Sequence, residues 1–371
     1  MKICHLADSH LGAGANHPRR GETGLTLRQE DIINAFIEAV DKIIEIKPDM
    51  CIHAGDIFDS ARPLNKIMAM AGEQLHKLAE TNSIPTIIIT GNHDAPSQPF
   101  KGAALDVYRQ IDNLVVVSGG ELKIHRFGDV CIHAVPHCLT NKSFQEELQK
   151  SFPDPDSKYN IIVTHGVAAG MPEFAMAELG ELEIPLDVLD RFDYAALGHF
   201  HNYSQVAPRA FYCGSTERMS QSERAYAKGF IELDLEPFSV KFHEVKTREM
   251  VDVQTINATG KRGDQLAVIL QNKIEALGSS DKIIRIRVEG VTEETLKTMP
   301  TEIISRLKEE SFSLNINFQK AEGDKSGDPF GKTSIGKIDQ SFIEFLDVVD
   351  LKGFDRDRLK TEAMKYLNEE E

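Results

Sequence analysis

The 371-residue chain has no run of about 18 apolar residues, so no membrane span is expected. It has no Cys-x-x-Cys pair. Its five cysteines, Cys4, Cys51, Cys131, Cys138 and Cys213, are odd in number, and most sit in apolar strand-like runs. That argues against a disulfide framework or a zinc knuckle and for buried free thiols. The N-terminal MKICHLADSH has one lysine and too short an apolar stretch for a signal peptide, so a cytoplasmic protein is expected. Positive charge is scarce: 42 Lys and Arg against 58 Asp and Glu leave a net charge of −16. A module that grips nucleic acid by bulk electrostatics would be basic. Any nucleic-acid contact must therefore be local, through metals, or shared with a partner.

What is present is a regular alternation of apolar runs. KICHLA (2–7), MCIHAGD (50–56) and TIIITGN (86–92) read as strands. Between them, Ile32, Ile33, Phe36, Ile37, Val40, Ile43 and Ile44 recur at helical spacing until Pro48. Further helices are predicted near 64–81 and 102–111, followed by a succession of strands up to VKFHEVK (240–246). This pattern predicts a mixed α/β sandwich over 1–246, its early strands parallel and covered by helices. The pattern then changes. A strand at 250–258, a helix at 263–277, a strand at 281–291, a helix at 292–310 and a strand at 313–319 predict a small second domain over 247–320. Residues 321–337 hold several glycines and no periodicity, which reads as a linker. Two apolar stripes, Phe342 to Val349 and Leu359 to Leu367, predict a helix pair over 338–371.

The chemistry gathers at strand ends. Asp8 and His10 (ADSH), Asp56 (AGDIFD), Asn92 (TGNHD), His165 (VTHG), and His199 and His201 (LGHFH) each follow an apolar run. Sites in α/β sheets lie outside the carboxyl ends of strands. Gly55, Gly91 and Gly198 each precede a candidate, where glycine permits a sharp reversal. Seven ligands suit two divalent ions. Asp56 would bridge them, Asp8, His10 and His201 would complete one site, and Asn92, His165 and His199 the other. The imidazole–carboxylate mixture favours Mn2+, Fe or Zn over Mg, which prefers oxygen alone. Such a pair hydrolyses phosphoesters. His93 is placed to protonate the leaving oxygen, and Asp94 to fix the His93 tautomer. His5, His53 and His133 read as core residues. His17, His76, His125, His137 and His243 read as structural or surface groups.

The order DxH, GDxFD, GNHD, HG, GHxH resembles the calcineurin-like metallophosphoesterases. HLADSHLG, HAGDIFDSARP, TGNHD, DYAALGHFH and YCGSTERMS…KGFIELDL resemble more closely the SbcD-like nuclease subunits of bacterial SbcCD complexes and their archaeal and eukaryotic counterparts in double-strand-break repair. The resemblance implies a four-layer αββα sandwich with a small α+β capping domain and C-terminal helices. It places the ligand roles on the same seven residues and the phosphate-contacting histidine on His93. It implies a two-metal exonuclease/endonuclease on DNA ends, in the cytoplasm and associated with the nucleoid. It also implies a homodimer through the helices flanking GNHD, with Leu64, Met68, Phe100 and Leu105 as contacts. The terminal helix pair would dock on the coiled coil of an SbcC-like ABC ATPase. Asp59 stands where archaeal and eukaryotic relatives commonly carry histidine, which places the chain on the bacterial side.

Arg19, Arg20, Arg28, Arg62 and Lys101 flank these motifs and are the candidate phosphate contacts. Two other functions remain open on the residues: a phosphodiesterase for a small molecule or nucleotide, and a non-catalytic scaffold.

Overall fold

Strand periodicity decides which layer each residue joins. In Lys2–Leu6, Ile3 faces a second sheet, while Cys4 and Leu6 face helices, and all three are buried. The same division holds in Met50–His53 and Thr86–Ile89, where Ile52 and Ile87 point one way and Cys51 and Ile88 the other. Strands buried on both faces read as near-continuous apolar runs. The computed structural model describes residues 1–96, 98–170 and 181–320. The predicted linker and terminal helices lie outside the described residues.

Two six-stranded sheets stack. In edge-to-edge order the first is Phe238–Glu244, Gly229–Leu235, Lys2–Leu6, Met50–His53, Thr86–Ile89, Leu114–Val117. Its last four strands are parallel, and Gly229–Leu235 joins Lys2–Leu6 antiparallel. The second is Ser204–Ala207, Ala210–Tyr212, Tyr194–Gly198, Tyr159–His165, Val130–Val135, Lys123–Phe127. Here too Val130–Val135, Tyr159–His165 and Tyr194–Gly198 run parallel. Ile3, Ile52, Ile87, Ile132, Ile161, Val163 and Phe211 fill the space between the sheets. The outer face of the first sheet is covered by helices Leu27–Ile46 and Asn65–His76, that of the second by Asn141–Gln149 and Leu186–Leu189. The αββα layering is therefore present.

Helix Leu27–Ile46 starts at Thr26, whose hydroxyl accepts from Gln29 N–H while the Gln29 side chain accepts from Thr26 N–H. It buries Ile32, Ile33, Phe36, Val40 and Ile43, as the spacing predicts. Two predicted helices differ. Residues 102–111 form no α-helix: 3₁₀ turns at Pro99–Lys101 and Ala104–Tyr108 flank Gly102, whose φ is 67°. The helix at 292–310 splits into Glu293–Lys297 and Thr301–Glu310. Pro300 lacks the N–H that would continue the ladder and disfavours helical geometry at Met299.

The third sheet, Met250–Asn257, Ile283–Val291, Ser313–Lys320, is backed by helix Gly263–Leu277 and has its own core of Leu266, Leu270, Ile284, Ile286 and Leu307. Met1–Gln319 nevertheless forms one compact unit. Arg248 explains much of this. Its guanidinium lies 3.5 Å from the Phe312 ring centroid and donates twice, at 2.6 Å, to the Asp31 carboxylate of the first helix. Arg19 and His17 donate to the Phe312 carbonyl at 2.7 and 3.0 Å.

Truncating Arg248 removes both the ring contact and a bidentate carboxylate pair. We expect Arg248→Ala to cost about 2 kcal/mol in urea unfolding. Limited proteolysis should also accelerate between residues 244 and 250.

Candidate metal centre

The strand tips reach the site in strained backbone. Asp8, His10, Asp56 and His199 have φ of 51°, 44°, 55° and 106°. Non-glycine residues seldom occupy this left-handed region, and such strain persists only where the surroundings enforce it. Here backbone bonds enforce it. Asp8 N–H and His10 N–H donate to Gly55 and Asp56 carbonyls, both at 3.0 Å. The Asp8 carboxylate accepts from His199 N–H at 3.0 and 3.1 Å, which ties the first sheet's tip to the second's. Asp56 Oδ1 accepts from His93 N–H at 2.8 Å. Of the three preceding glycines, Gly55 needs its φ of 98°. Gly198 is required for space instead: a Cβ there would collide with the Ala54 carbonyl.

All seven candidates converge. His10 Nε2 lies 3.0 Å from His201 Nε2 and 3.8 Å from Asp56 Oδ2. His165 Nε2 lies 3.3 Å from the same Asp56 Oδ2 and 2.9 Å from Asn92 Oδ1. His199 Nδ1 is 3.1 Å from Asn92 Oδ1. Among the described residues, candidate metal-ligating atoms form three overlapping clusters: Asp8 with His10 and His201, His10 with Asp56 and His93, and Asp8 with Asp56 and His165. Asp8 and Asp56 each belong to two of these clusters, and Asp56 Oδ2 faces both His10 and His165 while Oδ1 accepts from backbone.

The donor set fits divalent cations. His165 Nδ1–H donates to the Ala54 carbonyl at 2.9 Å, and His201 Nδ1–H to Glu223 Oε1 at 3.2 Å. In their neutral forms both rings therefore turn an Nε2 lone pair inward. These lone pairs face a carboxylate, an amide oxygen and another imidazole, all of which a cation satisfies together. Asp8, His10, Asp56 and His165 are buried, whereas Asn92 and His93 are exposed and His199 and His201 half-buried. The floor is enclosed and the rim open. Burial opposes charge on both Asp56 and His165. Their mutual attraction outweighs it, holding Asp56 well below the carboxylate range and raising His165 to about 9.

Asp94 does not touch His93. Its carboxylate accepts from Gly91, Ile57 and Phe58 N–H groups at 2.8, 2.9 and 3.3 Å, clamping the second and third strand tips together. Burial and the neighbouring Asp56 charge raise it to about 7. The orienting partner of His93 is Asp59, whose backbone carbonyl accepts from Nδ1–H at 3.2 Å.

Two of the candidate phosphate contacts are committed elsewhere. Arg19 donates to the Ser311 and Phe312 carbonyls, both at 2.7 Å. Arg28 is buried and paired with Asp31 and Glu217 at 3.4 and 3.3 Å. Arg20, Arg62 and Lys101 are exposed.

The motif reading missed Glu223 and Lys228. Lys228 is buried, and its Nζ donates to Glu223 Oε2 at 2.5 Å and to the His201 carbonyl at 2.7 Å. Glu223 in turn receives His201 Nδ1–H. This pair locks the His201 ring, a candidate ligand, in tautomer and position. Both lie in the GSTERMS…KGFIELDL stretch, but nothing in their spacing marks them as partners of His201.

Residues 1–203 match the family model for calcineurin-like phosphoesterases. The chain is 34% identical over 271 residues to a protein of Methanococcus maripaludis, covering 69% of this chain and 68% of that one. It is 30% identical to a Methanocaldococcus jannaschii protein, covering 74% and 73% of the two chains. A Sulfurisphaera tokodaii protein is also 30% identical, over 54% of this chain and 49% of its own length. Each is named DNA double-strand break repair protein Mre11.

Loss of an orienting partner typically weakens metal binding 10–100-fold. We expect Glu223→Ala to show a fall of roughly that size for Mn2+ by calorimetry. His201 and Lys228 overcome burial and hold Glu223 down at about 2. A depressed carboxyl stabilises the fold above its unfolded pKa of about 4.3 and loses that contribution as pH falls through the folded value. Metal-free Glu223→Gln should melt below the wild type at pH 6, and the two should converge near pH 2.

Proposed function

As the chain belongs to the calcineurin-like phosphoesterase family, we propose that it is a two-metal-dependent DNA nuclease. It acts on DNA ends in double-strand-break repair, in the cytoplasm on nucleoid DNA, with an SbcC-like ABC ATPase. The observation that carries this reading is the position of Asp56 Oδ2 between His10 Nε2 and His165 Nε2, at 3.8 and 3.3 Å. A single carboxylate oxygen facing two separate ligand groups is suited to a pair of ions. The name shared by the relatives supports DNA as the substrate.

Asp8, His10 and His201 would hold one ion and Asn92, His165 and His199 the other, with Asp56 between. The nitrogen-rich set favours Mn2+, with Fe, Zn or Mg as alternatives. Two cations there would polarise the phosphoryl oxygens and lower the pKa of an attacking water. The protein's own contribution is orientation and proton transfer. Asp59 holds His93 through Nδ1, which leaves Nε2 as the atom to deliver a proton to the departing sugar oxygen. Arg20, Arg62 and Lys101 would take backbone phosphates at the open rim.

Leu64 and Phe100, on the segments that precede and follow the GNHD loop in sequence, are 59% and 83% exposed, which supports a homodimer through them. Leu105 is fully buried in the core and is no contact. The net charge of −16 supports a partner that supplies much of the DNA grip, docked on 338–371.

The test is cleavage of linear duplex DNA with Mn2+ or Mg2+, with and without the ATPase, beside a nitrophenyl phosphodiester. Hydrolysis of the small ester with no DNA cleavage under any condition would refute the reading. His93→Gln should lose about 10²–10⁴ in rate with metal retained; near-normal turnover removes its role. Arg20→Ala with Arg62→Ala should weaken DNA cleavage while leaving the small ester nearly untouched, and equal loss on both counts against them.

A further inference from the structure

A cavity of about 230 Å³ opens beside the candidate metal centre, with His10, His93 and His201 in its lining. Ala13, Gly14, Ile32 and Met219 add apolar surface to the same lining. An engineered apolar cavity of about 150 Å³ already binds benzene, so this one accommodates an aromatic ring.

Its two cations do not make it a phosphate hole. Arg28 is paired with Asp31 and Glu217 and donates to the Arg218 carbonyl. Arg218 donates to Thr247 Oγ1, to the Arg248 carbonyl at 3.2 Å and to the Tyr226 carbonyl at 3.0 Å. Their terminal nitrogens donate to protein acceptors, and Arg218 Nε is buried with no protein partner, so neither guanidinium offers a free fork to a phosphate. The Asp59 carboxylate on the same lining further disfavours a second phosphate. A neutral planar ring suits such a lining: it can pack on the arginine stems and on the thioether of Met219.

We infer that this cavity is a base-binding subsite, which takes the nucleobase adjoining the scissile phosphate. The inference rests on the nuclease reading and deepens it. The imidazoles that line the cavity belong to the candidate centre itself, so an occupant of the cavity is a direct neighbour of a phosphate held there. The subsite selects for the presence of a base. Its apolar floor offers no hydrogen-bond code for which base.

The test uses the metal-loaded full chain and duplex DNA in which the nucleotide on each side of the cleaved bond is replaced, in turn, by a tetrahydrofuran abasic residue. Stacking of one base is worth about 1–3 kcal/mol, so the wild type should lose roughly fivefold or more in kcat/KM at one of the two positions. Ala13→Phe fills the cavity and Met219→Ala removes part of its wall. In both, the ratio of intact to abasic cleavage should fall to within about twofold of one. A poorly folded variant lowers both rates alike, so the ratio reads the cavity. A wild-type ratio of one at both positions, or an unchanged ratio in both variants, overturns the subsite. If the wild type hydrolyses bis(p-nitrophenyl) phosphate but leaves DNA intact, the nuclease reading fails separately. The subsite is then read by calorimetry with thymidine 5′-monophosphate against 2-deoxyribose 5-phosphate. A preference of about tenfold that disappears in Ala13→Phe sustains it, and equal affinities overturn it.

Discussion

The Asp56 carboxylate is buried, and its two oxygens have different tasks. Oδ1 is held by the His93 backbone, and Oδ2 faces imidazoles from two strand tips in two sheets. A buried charge of this kind is costly unless compensated. His165 and His10 compensate it in part, and a divalent cation would do so fully. The surroundings follow from that need. Asp8 fastens the second sheet to the first through His199 N–H, Asp94 clamps three backbone N–H groups, and four candidate ligands sit at positive φ. Each device spends local stability on holding polar atoms of similar sign close together.

Around this centre the protein divides rigidity from access. The floor residues rise from parallel strands packed on both faces, where a slip of one residue would turn every side chain over. The rim residues sit on loops. Outside the ligands lies a supporting shell of Glu223, Lys228 and Asp59, and beyond it the Arg28–Asp31–Arg248–Phe312 series that joins the third sheet to the first helix. Burial lowers the Lys228 pKa despite its carboxylate partner. That ion pair is therefore better understood as a positioning device than as a source of stability.

Much of this was legible in the order of residues. Strand runs and the first helix follow from periodicity, and the seven candidate ligands follow from where those runs end. The errors were local. A helix at 102–111 was expected from spacing, yet Gly102 and the short Asp106-capped turn prevent it. Asp94 was assigned to His93 because the two are adjacent. At the strand tip, however, adjacent side chains diverge, and Asp94 turns into the core while His93 turns to solvent. Arg19 and Arg28 are candidate phosphate contacts by position in the sequence, which does not display the carbonyls and carboxylates that occupy them.

The sequence by itself determined the layered α/β architecture and the chemical identity of the metal-ligand candidates. Both depend on short-range information: alternation along a strand, and a polar residue at its end. Only the tertiary structure decided which oxygen of Asp56 is shared, which carbonyl orients His93, that a buried lysine–glutamate pair supports His201, and that a ring-sized cavity adjoins the centre. These depend on contacts between segments up to about 200 residues apart, for which one chain's residue order carries no spacing signal.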